Sequence, residues 1–188
     1  MNARALLQRA SAVRLLIASL IAVSSVIPAN ASTVAICNSA DLSGKATGSG
    51  AGMSQPYVVI TVTNIGKASC ALKGYPVLTG AWTAKGKVAI SAKNGDLFNM
   101  PSAKVKRFVL APKAKAWFAN GSATAYDPPL VTINRIAFAT SAGTSVADSS
   151  MIRSGLMATA PAGKPYPLGV TAFAAGKGPA SGCDSGNC

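Results

Sequence analysis

Residues 57–64, YVVITVTN, place Val58, Ile60 and Val62 on one side of an extended chain and Tyr57, Val59, Thr61 and Thr63 on the other. Consecutive β-branched side chains lose rotamer freedom in a helix but pack well on a pleated surface, so the run is a strand. Asn64, Ile65 and Gly66 then end it in a turn. The same logic extends along the chain. Glutamate is absent, and Gly, Ser, Thr, Val and Pro interrupt every stretch before a 3.6-residue apolar period can build up. Short strands joined by turns are what such a chain can form.

Residues 77–84, VLTGAWTA, read as the next strand, Lys85-Gly86-Lys87 as its turn, and 88–91 as the returning arm of a hairpin. Asn94-Gly95 marks another turn. Residues 106–111 and 114–120 form the next expected pair, broken at Pro112, which has no backbone donor. Within it Trp117 and Phe118 must point to opposite faces, so one of them covers an edge of the core or is partly exposed. Residues 131–138 resume the β pattern after Asp127-Pro128-Pro129, with alternation failing near Arg135, the mark of a bulge or a change of face. Residues 140–150 read as a loop, 151–160 as a short helix or an irregular strand weakened by Gly155, and 166–174 as a last apolar run. A glycine-rich tail follows from about residue 176. The expectation is all-β: seven to nine strands in a two-layer antiparallel sandwich.

The start of the chain has a different character. Arg4, Arg9 and Arg14 precede the apolar run 15–27, LLIASLIAVSSVI, after which Pro28 leads into Ala29-Asn30-Ala31. This is the anatomy of a secretory signal peptide. Thirteen helical residues rise only about 20 Å, against a hydrocarbon core of about 30 Å, so a membrane anchor is disfavoured. Residues 1–31 are therefore expected to be removed, leaving 32–188 as a single domain with no transmembrane span, secreted or held in the periplasm or cell envelope. No cysteine stands at the expected cut, which argues against a lipidated start.

Export changes the meaning of the cysteines and of the charge. Cys37, Cys70, Cys183 and Cys188 all follow the signal, in a compartment where disulfides persist. Spacing favours Cys37 with Cys70 and Cys183 with Cys188, with a crossed arrangement left open. Losing three arginines lowers the formal charge from +13 to +10. Such a chain is drawn to anionic envelope polymers or lipid head groups, with another envelope protein as a further candidate partner, whereas export makes nucleic acid an improbable one. Lys104, Lys106, Arg107, Lys113 and Lys115, next to Trp117 and Phe118, form a candidate anion-binding face. The competing account is a lysine-rich hairpin edge that resists aggregation.

Catalytic chemistry finds little support. Without histidine there is no Ser-His or Cys-His pair, and carboxylate chemistry falls to Asp41, Asp96, Asp127, Asp148 and Asp184, each in a turn-like setting. Ser91 with Lys93, and Ser102 with Lys104, sit at strand spacing, but a lysine base needs burial. Cys183 and Cys188 lack the two-residue spacing of a redox pair. The stretch 43–50, SGKATGSG, lacks the strand–loop–helix setting of a phosphate loop. No metal site or cofactor is implied.

Three segments together resemble a known pattern. Cys37 and Leu42, the T-N-x-G turn at Thr63-Asn64-Ile65-Gly66, and the C-x-L-x-G-Y-P segment from Cys70 to Pro76 are similar to the secreted bacterial DUF4232 family. Leu110-Ala111-Pro112-Lys113 resembles that family's L-x-P-G stretch, with Lys113 where glycine is commoner. The resemblance covers residues 34–120 best. It implies an immunoglobulin-like β-sandwich and a Cys37–Cys70 disulfide, and it implies no activity. The expectation is a noncatalytic binding or structural module of the envelope, with aspartate or serine–lysine hydrolysis and disulfide exchange as the alternatives.

Overall fold

A computed structural model describes residues 34–98, 100–122, 130–140 and 152–179, with backbone alone at 152–154. Contacts divide the chain into Met1–Ser32 and Thr33–Cys188, and the described residues belong to the second unit. The expected signal peptide, Asp127, Asp148, Asp184, the 141–150 loop and the Cys183–Cys188 tail lie outside the described residues.

A 3₁₀ turn, Ser39–Asp41, leads into twelve described strands: β1 (Leu42–Gly52), β2 (Gln55–Asn64), β3 (Cys70–Lys73), β4 (Val77–Thr83), β5 (Gly86–Val88), β6 (Ile90–Asn94), β7 (Arg107–Leu110), β8 (Lys115–Ser122), β9 (Leu130–Ala139), β10 (Ile152–Thr159), β11 (Tyr166–Val170) and β12 (Ala174–Ala175). One sheet runs β1-β2-β8-β11-β6, with β12 also on β8; a second runs β10-β9-β4-β5; β3 and β7 make a two-stranded ribbon. The pairing is antiparallel except for β6, which lies parallel to β11. The two larger sheets face each other across one core. Phe118 of β8, Phe138 of β9 and Phe173 meet there edge to face, with centroids 5.0, 5.5 and 6.3 Å apart. Ile60, Val62, Leu72, Leu110, Ile136 and Leu156 close around them.

The architecture is the expected all-β sandwich, with four local corrections. Twelve strands exceed the expected seven to nine because runs are cut where the chain changes sheet. Val88 ends β5 in the second sheet and, one residue later, Ile90 starts β6 in the first. Residues 43–50, discounted as a phosphate loop and given no element in the sequence, lie in β1, whose register with β2 slips once between Ala46 and Gly48. Their low strand propensity is overridden by that pairing. Residues 152–159 are strand, with Gly155 at φ +62 inside a register shift opposite β9 near Arg135; the extra residue of that shift lies on β10 and not in the 131–138 run. Finally, 106–111 and 114–120 do not pair with each other: β7 joins β3, and β8 joins β2.

β2 and β8 are covered on both faces. Phe118 points into the main core, while Tyr57, Val59, Ala119 and the half-buried Trp117 form a second cluster with Met100 and Leu97 on the outer face. Leu97 and Met100 lie over that face, and Gly178 passes so close to Val59 and Trp117 that a side chain there would collide with them. Trp117 is thus the covering aromatic that the alternation called for.

Candidate functional site

The corner where β2 ends is built around Asn64, which is fully buried. Its amide nitrogen donates to the carbonyls of Ala68 and Leu110, both at 2.9 Å, and its side-chain oxygen accepts from the Gly66 amide at 2.9 Å. Its backbone accepts from Lys113 at 2.8 Å and donates to Ala114 O at 3.1 Å. One residue therefore ties the β2 end, the approach to β3 and the β7–β8 turn together. Gly66 makes a close approach: a Cβ there would stand 3.0 Å from Asp41 side-chain atoms, which would have to shift slightly to admit it. Lys113 adopts φ +66, a left-handed conformation that disfavours any residue with a Cβ. The Cys37–Cys70 disulfide, Cα–Cα 4.7 Å, anchors the same ribbon to the start of the domain.

These elements place the expected basic residues in two groups. Lys113, in the turn, and Lys115, opposite Thr63 on β2, flank the Asn64 corner together with Lys67 of the 65–69 turn. Lys104 and Lys106 lie on the connection into β7, where Arg107 stands opposite Lys73 of β3. All seven cations are exposed. Arg107 donates from its guanidinium to the Val34 carbonyl, and Trp117 is packed beneath the tail instead of standing free beside the lysines. Asp41 is the acid at the Asn64 corner. Lys73 was missed in the sequence because only strand pairing sets it opposite Arg107, and Lys67 because the hydrogen bonds of Asn64 join its turn to that of Lys113.

At the far end of β2 lies a cavity of about 490 Å³, lined in part by Tyr57, Ser91, Lys93, Asp96, Leu97 and Ser122. Ser122 Oγ is buried with no hydrogen-bond partner among the described residues. Ser91 and Lys93 do share this lining, but both are exposed. Asp96 accepts from the Ser102 amide at 2.7 Å, and the Ser102 hydroxyl accepts from the Ala172 amide at 2.8 Å, so the Ser102–Lys104 spacing serves a structural latch. Asp41 and Asp96 sit at opposite ends of β2, about 30 Å of extended chain apart, and cannot converge. No cluster of metal-ligating side chains occurs among the described residues, and no helix among them is long and apolar enough to cross a membrane.

Comparison with known proteins adds one finding. The family described as "Domain of unknown function (DUF4232)" matches residues 37–174, a span running from the first disulfide cysteine to β12. No curated protein and no solved structure matches the chain.

Proposed function

The chain belongs to the DUF4232 family, a membership that carries no assigned activity, and we propose from its surface that it is a noncatalytic extracytoplasmic β-sandwich that binds anionic polymers of the cell envelope. The observation that carries this reading is the unpaired charge: among the described residues, no lysine or arginine forms an ion pair with a carboxylate. Seven exposed cations around the Asn64 corner and the start of β7 make a field that attracts polyanions. The disulfide fits a domain that works outside the cytoplasm. Hydrolysis is the weaker reading, because the Lys93 of the Ser91–Lys93 pair lacks the desolvation a lysine base requires.

The test is retention of the oxidised protein on native envelope fractions at low and physiological salt, beside a Lys104→Glu/Lys106→Glu/Lys115→Glu variant. Arg107 is left intact because its guanidinium holds the Val34 carbonyl. Retention that persists at physiological salt and is lost in the variant supports the proposal. Equal retention of both proteins, or none at physiological salt, rejects it.

A further inference from the structure

The outer face of the second sheet carries a separate charged surface. Register aligns one rung across all four strands: Trp82 of β4 stands opposite Lys87 of β5 on one side and Arg135 of β9 on the other, and Arg135 stands opposite Arg153 of β10. Ala81 and Ile136, neighbours in sequence of Trp82 and Arg135, are buried in the core, so Trp82 and Arg135 face outward. Three interstrand steps give it a length of about 14 Å.

Its centre is an aromatic platform. The half-buried Trp82 indole lies against Gly80, where a Cβ would come within 2.5 Å of Cη2. Lys87 Nζ and Arg135 Cζ stand 5.7 and 5.8 Å from the ring centroid. Cation–π attraction helps to hold them there. Beside Arg135, the register shift that contains Gly155 opens a shallow depression, which Thr83 and Asn134 also line. A Cβ on Gly155 would meet nothing within 4 Å.

The rung's weakness as pure packing is its charge. Lys87 and Arg135 place two positive charges about one indole. Neither Lys87 nor Arg135 has a carboxylate partner among the described residues. An anion laid along the rung would neutralise these two cations, and the indole selects the kind of anion. Its flat apolar surface suits the C–H face of a sugar ring, whereas the flanking guanidinium matches a carboxylate with two parallel hydrogen bonds.

We infer that the Lys87–Trp82–Arg135 rung is a binding strip for an acidic polysaccharide, a sugar chain bearing carboxylates. Trp82 stacks on a pyranose ring, Arg135 pairs with its carboxylate, Lys87 meets the next charge as a point cation, and Asn134 in the depression takes a hydroxyl. The site uses none of the Lys104–Lys115 cations and so goes beyond the surface proposed above.

The test is calorimetric titration of the oxidised protein at physiological salt with an oligogalacturonate, an uncharged oligosaccharide of equal length, and inorganic polyphosphate. The oligogalacturonate is expected to bind saturably, at least about tenfold more tightly than either other probe, a difference of about 1.4 kcal/mol. Trp82→Ala and Arg135→Gln should each weaken it at least about tenfold, while Trp82→Phe retains most of the affinity and guards against loss by misfolding. Lys164→Glu, at an exposed cation outside both surfaces, should leave it unchanged. Absence of saturable binding, polyphosphate binding as tightly, or undiminished binding by Trp82→Ala overturns the inference. Loss confined to Lys104→Glu/Lys106→Glu also overturns it and leaves the proposed function standing.

Discussion

Replacing Asn64 by alanine removes three side-chain hydrogen bonds at once, and the structure sets the size of the effect. The carbonyl of Leu110 loses its amide donor in a buried setting, which costs about 1–3 kcal/mol when the group is left unsatisfied. The bonds to Ala68 O and from the Gly66 amide are part-buried, so water replaces them at a net cost of about 0.5–1.5 kcal/mol each. The expected loss is about 3–4 kcal/mol, or roughly 10 °C in Tm for a domain of this size. Equilibrium unfolding in urea, followed by tryptophan fluorescence with the disulfide intact, measures it, and the m-value should not change. Asn64→Asp is the sharper companion. It keeps an acceptor for Gly66 but turns a carboxylate toward two carbonyl oxygens in a buried site, so it should destabilise more than alanine does. A loss below about 1 kcal/mol for Asn64→Ala, or an aspartate tolerated as well as asparagine, would refute the account of this corner as a hydrogen-bonded knot.

Lys113→Gly should stabilise the protein by about 1 kcal/mol, because φ +66 strains a residue with a Cβ; an unchanged denaturation midpoint would count against that origin. Removing the Cys37–Cys70 link by double alanine substitution should cost about 3–4 kcal/mol by loop-closure entropy for its separation of 33 residues, read from unfolding midpoints against the oxidised parent. Phe118→Ala should lose about 3–5 kcal/mol, since the ring is fully buried against Phe138 and Phe173; a loss under 2 kcal/mol would mean that the core collapses into the space. Gly80→Ala should push the Trp82 indole off its seat and shift its fluorescence emission with little change in stability, and an unaltered spectrum would contradict the close approach.

Strand identity was legible where side chains alternate by themselves. YVVITVTN declared β2, and its T-N-x-G ending announced a turn, because both depend on residues adjacent in the chain. The opposite orientations of Trp117 and Phe118 followed from the same period of two. β1 was not legible: LSGKATGSGAG has little intrinsic β preference and becomes a strand through its register with β2. The partner of β7 was misjudged for a related reason. Pro112 and Lys113 read as the turn of a local hairpin, but the hydrogen bonds of that turn go to Asn64, which steers β7 toward β3 and β8 toward β2.

The candidate surfaces divide along the same line. Local crowding in the sequence exposed the cations from Lys104 to Lys115, yet Lys73 joined them only through strand pairing and Lys67 only through the Asn64 corner. Lys87, Trp82 and Arg135 share no local pattern; register alone sets them on one rung. The sequence by itself determined the all-β class, the positions of the clearest strands and the strong positive charge, since these depend on side-chain shape, backbone freedom and ionisation. Which strands pair, which cations become neighbours and why Asn64 is indispensable were decided only in the tertiary structure, because a cross-strand hydrogen bond joins residues that may be close or far apart in the chain and leaves no period for a sequence to display.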